Sequence, residues 1–176
     1  KVEIIGKFYD NHSLAIINRE IAIRLSDKEK YPDIKLAITP MDQYDSKHKV
    51  KKDSLKILKE LEANEVEADI QIRHTYPPMW RWPALDKTKV VYIQPWEYTK
   101  IPFEWQYKFE QFADYLITPS QWSMNNFLDS GLSPYKAAVV ANGYDSNIFN
   151  LSNRTSQQYS SVNKFTFVYV GNAQYR

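Results

Sequence analysis

The chain has 176 residues, 43% of them apolar and 25% charged, which suits a globular protein with at least one full core. A formal net charge of +2 gives no case for nucleic-acid binding. The absence of cysteine rules out disulfides and thiolate metal sites, and no apolar run nears the roughly 20 residues of a membrane-spanning helix.

Short apolar runs alternate with helix-period segments, the pattern of an α/β protein built on a parallel sheet. The opening residues lack the apolar stretch of a signal peptide, and 2–5 read as a strand closed by Gly6. Leu14, Ile17, Ile21 and Leu25 recur at helical spacing, so 13–26 is a helix laying one face on the sheet, with Asn11 or Ser13 as its cap. A second strand covers 34–39 and stops at Pro40. Helix 53–63 follows, then strands 69–73 and 89–93 with the Pro-rich loop 75–84 between them.

Segment 103–113 reads as an amphipathic helix, 115–118 as a short strand and 121–129 as a helix ended by Gly131. Residues 136–140 form a further strand, followed by a turn in which Gly143 is free to take positive φ and Asp145 closes its own backbone. Residues 146–163 are polar and read as a linker, with a strand at 164–170 and Gly171 after it. The chain starts without Met and stops at Arg176 in mid-pattern, so both ends read as the edges of a fragment. Thirteen Tyr, eight Phe and five Trp crowd most densely between Tyr76 and Trp122, where rings serve either a core or the apolar faces of sugars.

Four stretches, in order, carry a family resemblance. Trp96-Glu97-Tyr98-Thr99 leads to Ile101-Pro102 and Trp105, like a W-E-x-T-x-I-P-x-x-W run. Asp114-Tyr115-Leu116-Ile117-Thr118-Pro119-Ser120-Gln121-Trp122 follows the pattern D-x-apolar-x-x-P-S-x-aromatic. Val139-Val140-Ala141-Asn142-Gly143-Tyr144-Asp145 with Phe149 is similar to V-I-P-N-G-V-D-x-x-x-F, with Ala141 where Pro is usual. Phe167-Val168-Tyr169-Val170-Gly171, ending at Arg176, looks like the first strand and loop of a further domain. Together they resemble retaining glycosyltransferases of the family 4 type. The first loop departs from that family: it reads Gly6-Lys7-Phe8-Tyr9-Asp10 where many relatives carry Gly-Gly, which weakens any case for phosphate against its backbone.

The resemblance implies a GT-B architecture of two Rossmann-like domains facing across a cleft. Residues 1–150 would be the amino-terminal, acceptor-side domain, a parallel sheet with helices on both faces; 151–163 would be the linker, and 164–176 the start of a nucleotide-sugar domain. It also implies a nucleotide-sugar co-substrate, a carbohydrate or lipid-linked acceptor, no cofactor and no metal, a cytoplasmic setting, and an inactive fragment for want of the family's later paired-glutamate motif. Gly171 and Arg176 would meet the donor diphosphate, Arg176 as a charge clamp on the leaving group.

His74 and Glu97 stand at strand ends, where such sheets hold ligands, and are the candidate catalytic groups. His74 could bind a sugar hydroxyl or stabilise charge, but it could equally be a satisfied, partly buried ring. Glu97 could hold acceptor hydroxyls or anchor its own loop through backbone N–H groups. Trp96, Tyr98, Thr99, Tyr76 and Trp80 are candidate acceptor contacts, with buried loop anchors as the other reading of the rings. The basic run 47–52 beside the second helix can dock weakly on anionic headgroups or serve as a solvated face. A non-catalytic module binding carbohydrate or protein is the rival to an enzyme.

Overall fold

The computed structural model describes residues 1–150 and Phe167. Six strands form one parallel sheet: β1 (Val2–Gly6), β2 (Leu36–Pro40), β3 (Ile70–His74), β4 (Lys89–Ile93), β5 (Tyr115–Thr118) and β6 (Ala137–Val139). Their order across the sheet is β2-β1-β3-β4-β5-β6. Four helices lie between them in sequence: α1 (Ser13–Leu25), α2 (Lys52–Ala63), α3 (Phe103–Phe112) and α4 (Gln121–Asp129). The result is the Rossmann-like α/β fold that the alternation of patterns predicts.

Register assigns the two faces. Ile4 pairs with Ile38 and Ile72, so these three project to one side. There they pack with Ala22 of α1 and with Leu58 and Leu61 of α2 in a mainly aliphatic cluster. Glu3 pairs with Gln71, Gln71 with Val90, and Tyr92 with Leu116, so these project to the other side. On that face Val90, Tyr92 and Leu116 meet Phe109 of α3 and Phe127 of α4 in an aromatic cluster.

Element ends follow local chemistry. Ser120 caps α4 through Oγ, which accepts from Ser123 N at 3.2 Å. Gly131 takes φ +97° just beyond α4, and the following N–H of Leu132 returns to Phe127 O at 3.1 Å. Neither Asn11 nor Ser13 caps α1. His12 holds that position without a side-chain cap, Ser13 is already helical, and Asn11 Oδ1 instead accepts from Lys49 N at 3.1 Å.

The chain divides into two compact units, Lys1–Asn142 and Gly143–Arg176. In the second, Asp145 does close its own backbone, accepting from Asn147 N through Oδ1 at 2.9 Å and from Phe149 N through its carbonyl at 2.8 Å. Gly143, though free to take positive φ, does not take it. The linker 151–163, the strand 164–170 apart from Phe167, Gly171 and Arg176 lie outside the described residues. No helix among the described residues is long and apolar enough to cross a membrane.

Candidate functional site

In sheets of this type ligands sit beyond the carboxyl ends of the strands, where neighbouring connections leave in opposite directions. Here that switch point falls between β1 and β3: the chain leaves β1 toward β2 on one side, and every later strand lies on the other. Gly6 and His74 end these two strands and are register partners. A Cβ at Gly6 would lie 2.4 Å from Asn18 Nδ2 and 2.6 Å from His74 O, so only glycine allows α1 to approach the sheet this closely.

His74 is buried at 2% exposure, with Nδ1 2.7 Å from Oδ1 of the fully buried Asn18. Burial, reinforced by the nearby His12, lowers its pKa to about 4. His74 is therefore neutral near pH 7, which argues against a charge-stabilising role.

The loop after β1 is closed by the protein itself. Asp42, just past β2, accepts from the N–H groups of Phe8, Tyr9 and Asp10 at 2.8, 2.9 and 2.8 Å. Arg19 Nη1 bonds Phe8 O and Asp10 O from the α1 side at 2.7 and 2.8 Å. Successive N–H groups of this kind make an anion-binding concavity, and a carboxylate already fills it. That agrees with the missing Gly-Gly.

Beyond β3 and β4 the aromatic residues form a connected series. Tyr76 meets Trp105 edge-on at 6.0 Å between centroids, Trp105 meets Trp96 at 5.3 Å, and Trp96 meets Tyr98 at 5.3 Å. The ends are open, Tyr76 at 59% and Tyr98 at 49% exposure, while Trp96 is buried. Trp80 is half-buried and packs against the core, with its ring 4.8 Å from Phe109 and 5.5 Å from Tyr92. Of the five acceptor candidates, Tyr76, Tyr98 and Thr99 thus reach the surface, and Trp80 and Trp96 support them from below. Glu97 is exposed, between Trp96 and Tyr98.

The Pro-rich loop carrying Tyr76 and Trp80 is tied down by Arg73, which is fully buried. Its guanidinium donates to Met79 O at 3.2 Å, Arg81 O at 2.6 Å, Tyr92 Oη at 2.9 Å and Gln71 Oε1 at 2.7 Å. Gln71 passes the chain on to Glu3 Oε2 at 2.7 Å, and Thr39 Oγ1 donates to Glu3 Oε1 at 2.6 Å. A polar ladder thus crosses β2, β1, β3 and β4. Just past β4, Gln94 Oε1 and Trp96 Nε1 are buried with no hydrogen-bond partner among the described residues, against the general rule for interior polar atoms.

A cavity of about 350 Å³ lies elsewhere, lined by Trp82, Lys89, Glu110 and Asp114 among others. Lys89 opens β4 and Asp114 precedes β5, so this cavity sits at the amino ends of the strands and includes neither His74 nor Glu97. Four of its charges are paired, Lys89 with Asp114 at 2.9 Å and Lys136 with Glu110 at 3.3 Å, and Asp86 lines it as well. The basic run 47–52 is exposed except for half-buried His48 and Val50.

Sequence reasoning passed over Asn18, Asp42, Arg73, Gln94 and Trp105. A signal existed for Asn18, which stands four residues after Leu14 and three before Ile21, on the apolar stripe of α1. Trp105 was visible as part of the W-E motif but had no assigned role. No family model, no curated protein and no solved structure matches this chain.

Proposed function

We propose that the chain is the acceptor-side domain of a retaining glycosyltransferase that moves a sugar from a nucleotide-sugar to an acceptor hydroxyl. The observation that carries this reading is the open-ended series of rings from Tyr76 to Tyr98, at the strand ends that also bear His74 and Glu97. Rings with one buried and one open edge suit the C–H faces of sugars, and carboxylate and imidazole acceptors suit their hydroxyls. The closed β1 loop supports the same assignment, since a domain that holds the acceptor needs no phosphate nest of its own. The four family-like motifs supply the reaction class.

In this reading the acceptor hydroxyl oxygen bonds to the anomeric carbon as the bond from that carbon to the diphosphate breaks. The diphosphate departs with the electron pair, and the hydroxyl proton passes to the departing phosphate oxygen. His74 and Glu97 orient the hydroxyl, and the rings hold the sugar that bears it. Arg176 and Gly171 would face the donor.

The test is transfer by the intact gene product from a panel of nucleotide-sugars, scored by product mass, repeated with Glu97→Ala and His74→Ala. Loss of at least tenfold in kcat/KM, about 1.4 kcal/mol of transition-state stabilisation, is expected for each. Unchanged transfer in both variants removes these residues from the site. Saccharide binding without transfer from any donor would favour the binding module.

A further inference from the structure

Asn18 lies between two walls of the switch point, and its hydrogen bonds decide which atom of His74 carries a proton. Its Nδ2 donates to Lys7 O at 3.0 Å, in the loop after β1, and to His74 O at 3.2 Å, at the end of β3. Both partners are carbonyl oxygens and can only accept, so the NH₂ end of the amide must point at them. The amide oxygen is then left facing His74 Nδ1 at 2.7 Å. An amide oxygen also only accepts, so Nδ1 carries the ring hydrogen. A neutral imidazole has one N–H, and Nε2 is therefore a bare lone pair.

Nε2 has no partner among the described residues. His74 as a whole keeps 2% exposure, at the carboxyl end of β3. The reading would fail if Asn18 were free to flip, but a flip would set its oxygen against two carbonyl oxygens and its NH₂ against the ring.

We propose that Asn18 is a positioning residue that locks His74 as the Nδ1–H tautomer, so that Nε2 accepts a hydrogen bond from a ligand hydroxyl and refuses a group that only accepts, such as a phosphodiester. This deepens the functional reading above and rests on it for the identity of the hydroxyl as a sugar's. The lock itself rests on Asn18's bonds alone. It also separates two roles often joined in histidine: the lone pair orients the hydroxyl, while burial opposes the imidazolium that full proton transfer would create.

The experiment is long-range ¹H–¹⁵N correlation NMR of the labelled chain at pH 7, reading both ring nitrogens of its three histidines, with His74→Gln assigning the His74 pair. The expected wild-type spectrum has Nδ1 protonated and Nε2 unprotonated for His74. In Asn18→Ala that preference is lost, and both nitrogens shift toward tautomer-averaged values. A wild-type ring protonated at Nε2, or at both nitrogens, overturns the proposal without any variant having to fold. An unchanged tautomer in a folded Asn18→Ala overturns Asn18 as its cause.

Adding dimethyl phosphate, which carries no O–H at pH 7, should leave Nε2 unshifted, and conversion of the ring to the doubly protonated form would overturn the selection. If the tautomer is as expected but the intact protein transfers no sugar, the glycosyltransferase reading fails and the lock stands.

Discussion

The two faces of the sheet are built differently. On the α1–α2 face the interior is mainly aliphatic, with Ile4, Ile38 and Leu58 at its centre, and its polar groups are matched: Asp42 takes three N–H groups, Arg19 takes two carbonyls, and the Tyr9 hydroxyl reaches Glu62 at 2.8 Å. On the α3–α4 face the interior is aromatic. It leaves Gln94 Oε1 and Trp96 Nε1 without partners and sends Tyr76 and Tyr98 out to solvent. The first face is closed and serves as scaffold. The second keeps unused hydrogen-bonding capacity and open rings at the strand ends, and the two meet at the edge where His74 stands.

Arg73 gives the hardest test of that contrast, because it ties the aromatic loop to the scaffold strands. Arg73→Met leaves the Arg81 carbonyl and Gln71 Oε1 without their donor, and a loss of about 3 kcal/mol or more is expected from urea unfolding. A loss below about 1 kcal/mol would mean that the polar ladder does not hold the loop.

His74 tests the border through pH. Its folded pKa of about 4 lies below the ordinary histidine value, so the unfolded chain binds the extra proton between roughly pH 4 and 6.5. The stability that goes with a neutral His74 is fully present above pH 6.5 and is lost as the pH falls toward 4. The drop is on the order of 3 kcal/mol relative to His74→Gln. Parallel stability–pH curves for the two proteins would show that the ring is not held neutral.

Gly6 probes the scaffold face. Gly6→Ala places a methyl against the backbone of β3 as well as against Asn18, and about 2 kcal/mol of destabilisation is expected from thermal unfolding. A neutral result would mean that α1 can withdraw without cost. At the other extreme, Phe103→Ser on the open face should change stability by less than about 0.5 kcal/mol, since Phe103 is 83% exposed. A larger loss would show that the face is less open than its exposure suggests.

Most of the architecture was legible in the sequence because the 3.6- and 2-residue periods and the Gly and Pro punctuation agreed along the chain. Strand boundaries slipped by a residue or two. The apolar Ile34 makes the second strand look longer than β2 is; it packs beside the aliphatic cluster just outside that strand. The cap of α1 was misread because a side chain's partner cannot be found from its neighbours in sequence: Asn11 serves Lys49, 38 positions away. The site was legible in part. Strand-end position pointed to His74 and Glu97, but Trp80 and Trp96 look like Tyr76 and Tyr98 in a sequence and differ only in burial. Periodicity marks Asn18 as facing the sheet but not as the partner of His74, and Asp42 acts across a long sequence separation where periodicity carries no information.

The carboxylate of Asp42 has a consequence for ligand choice that reaches beyond the loop it closes. A dissolved anion arriving at the N–H groups of Phe8, Tyr9 and Asp10 meets a tethered competitor whose effective concentration is roughly millimolar or higher. It also meets that competitor's negative charge. The loop therefore discriminates against phosphate, and a neutral polyol escapes the charge repulsion though not the competition for the N–H groups.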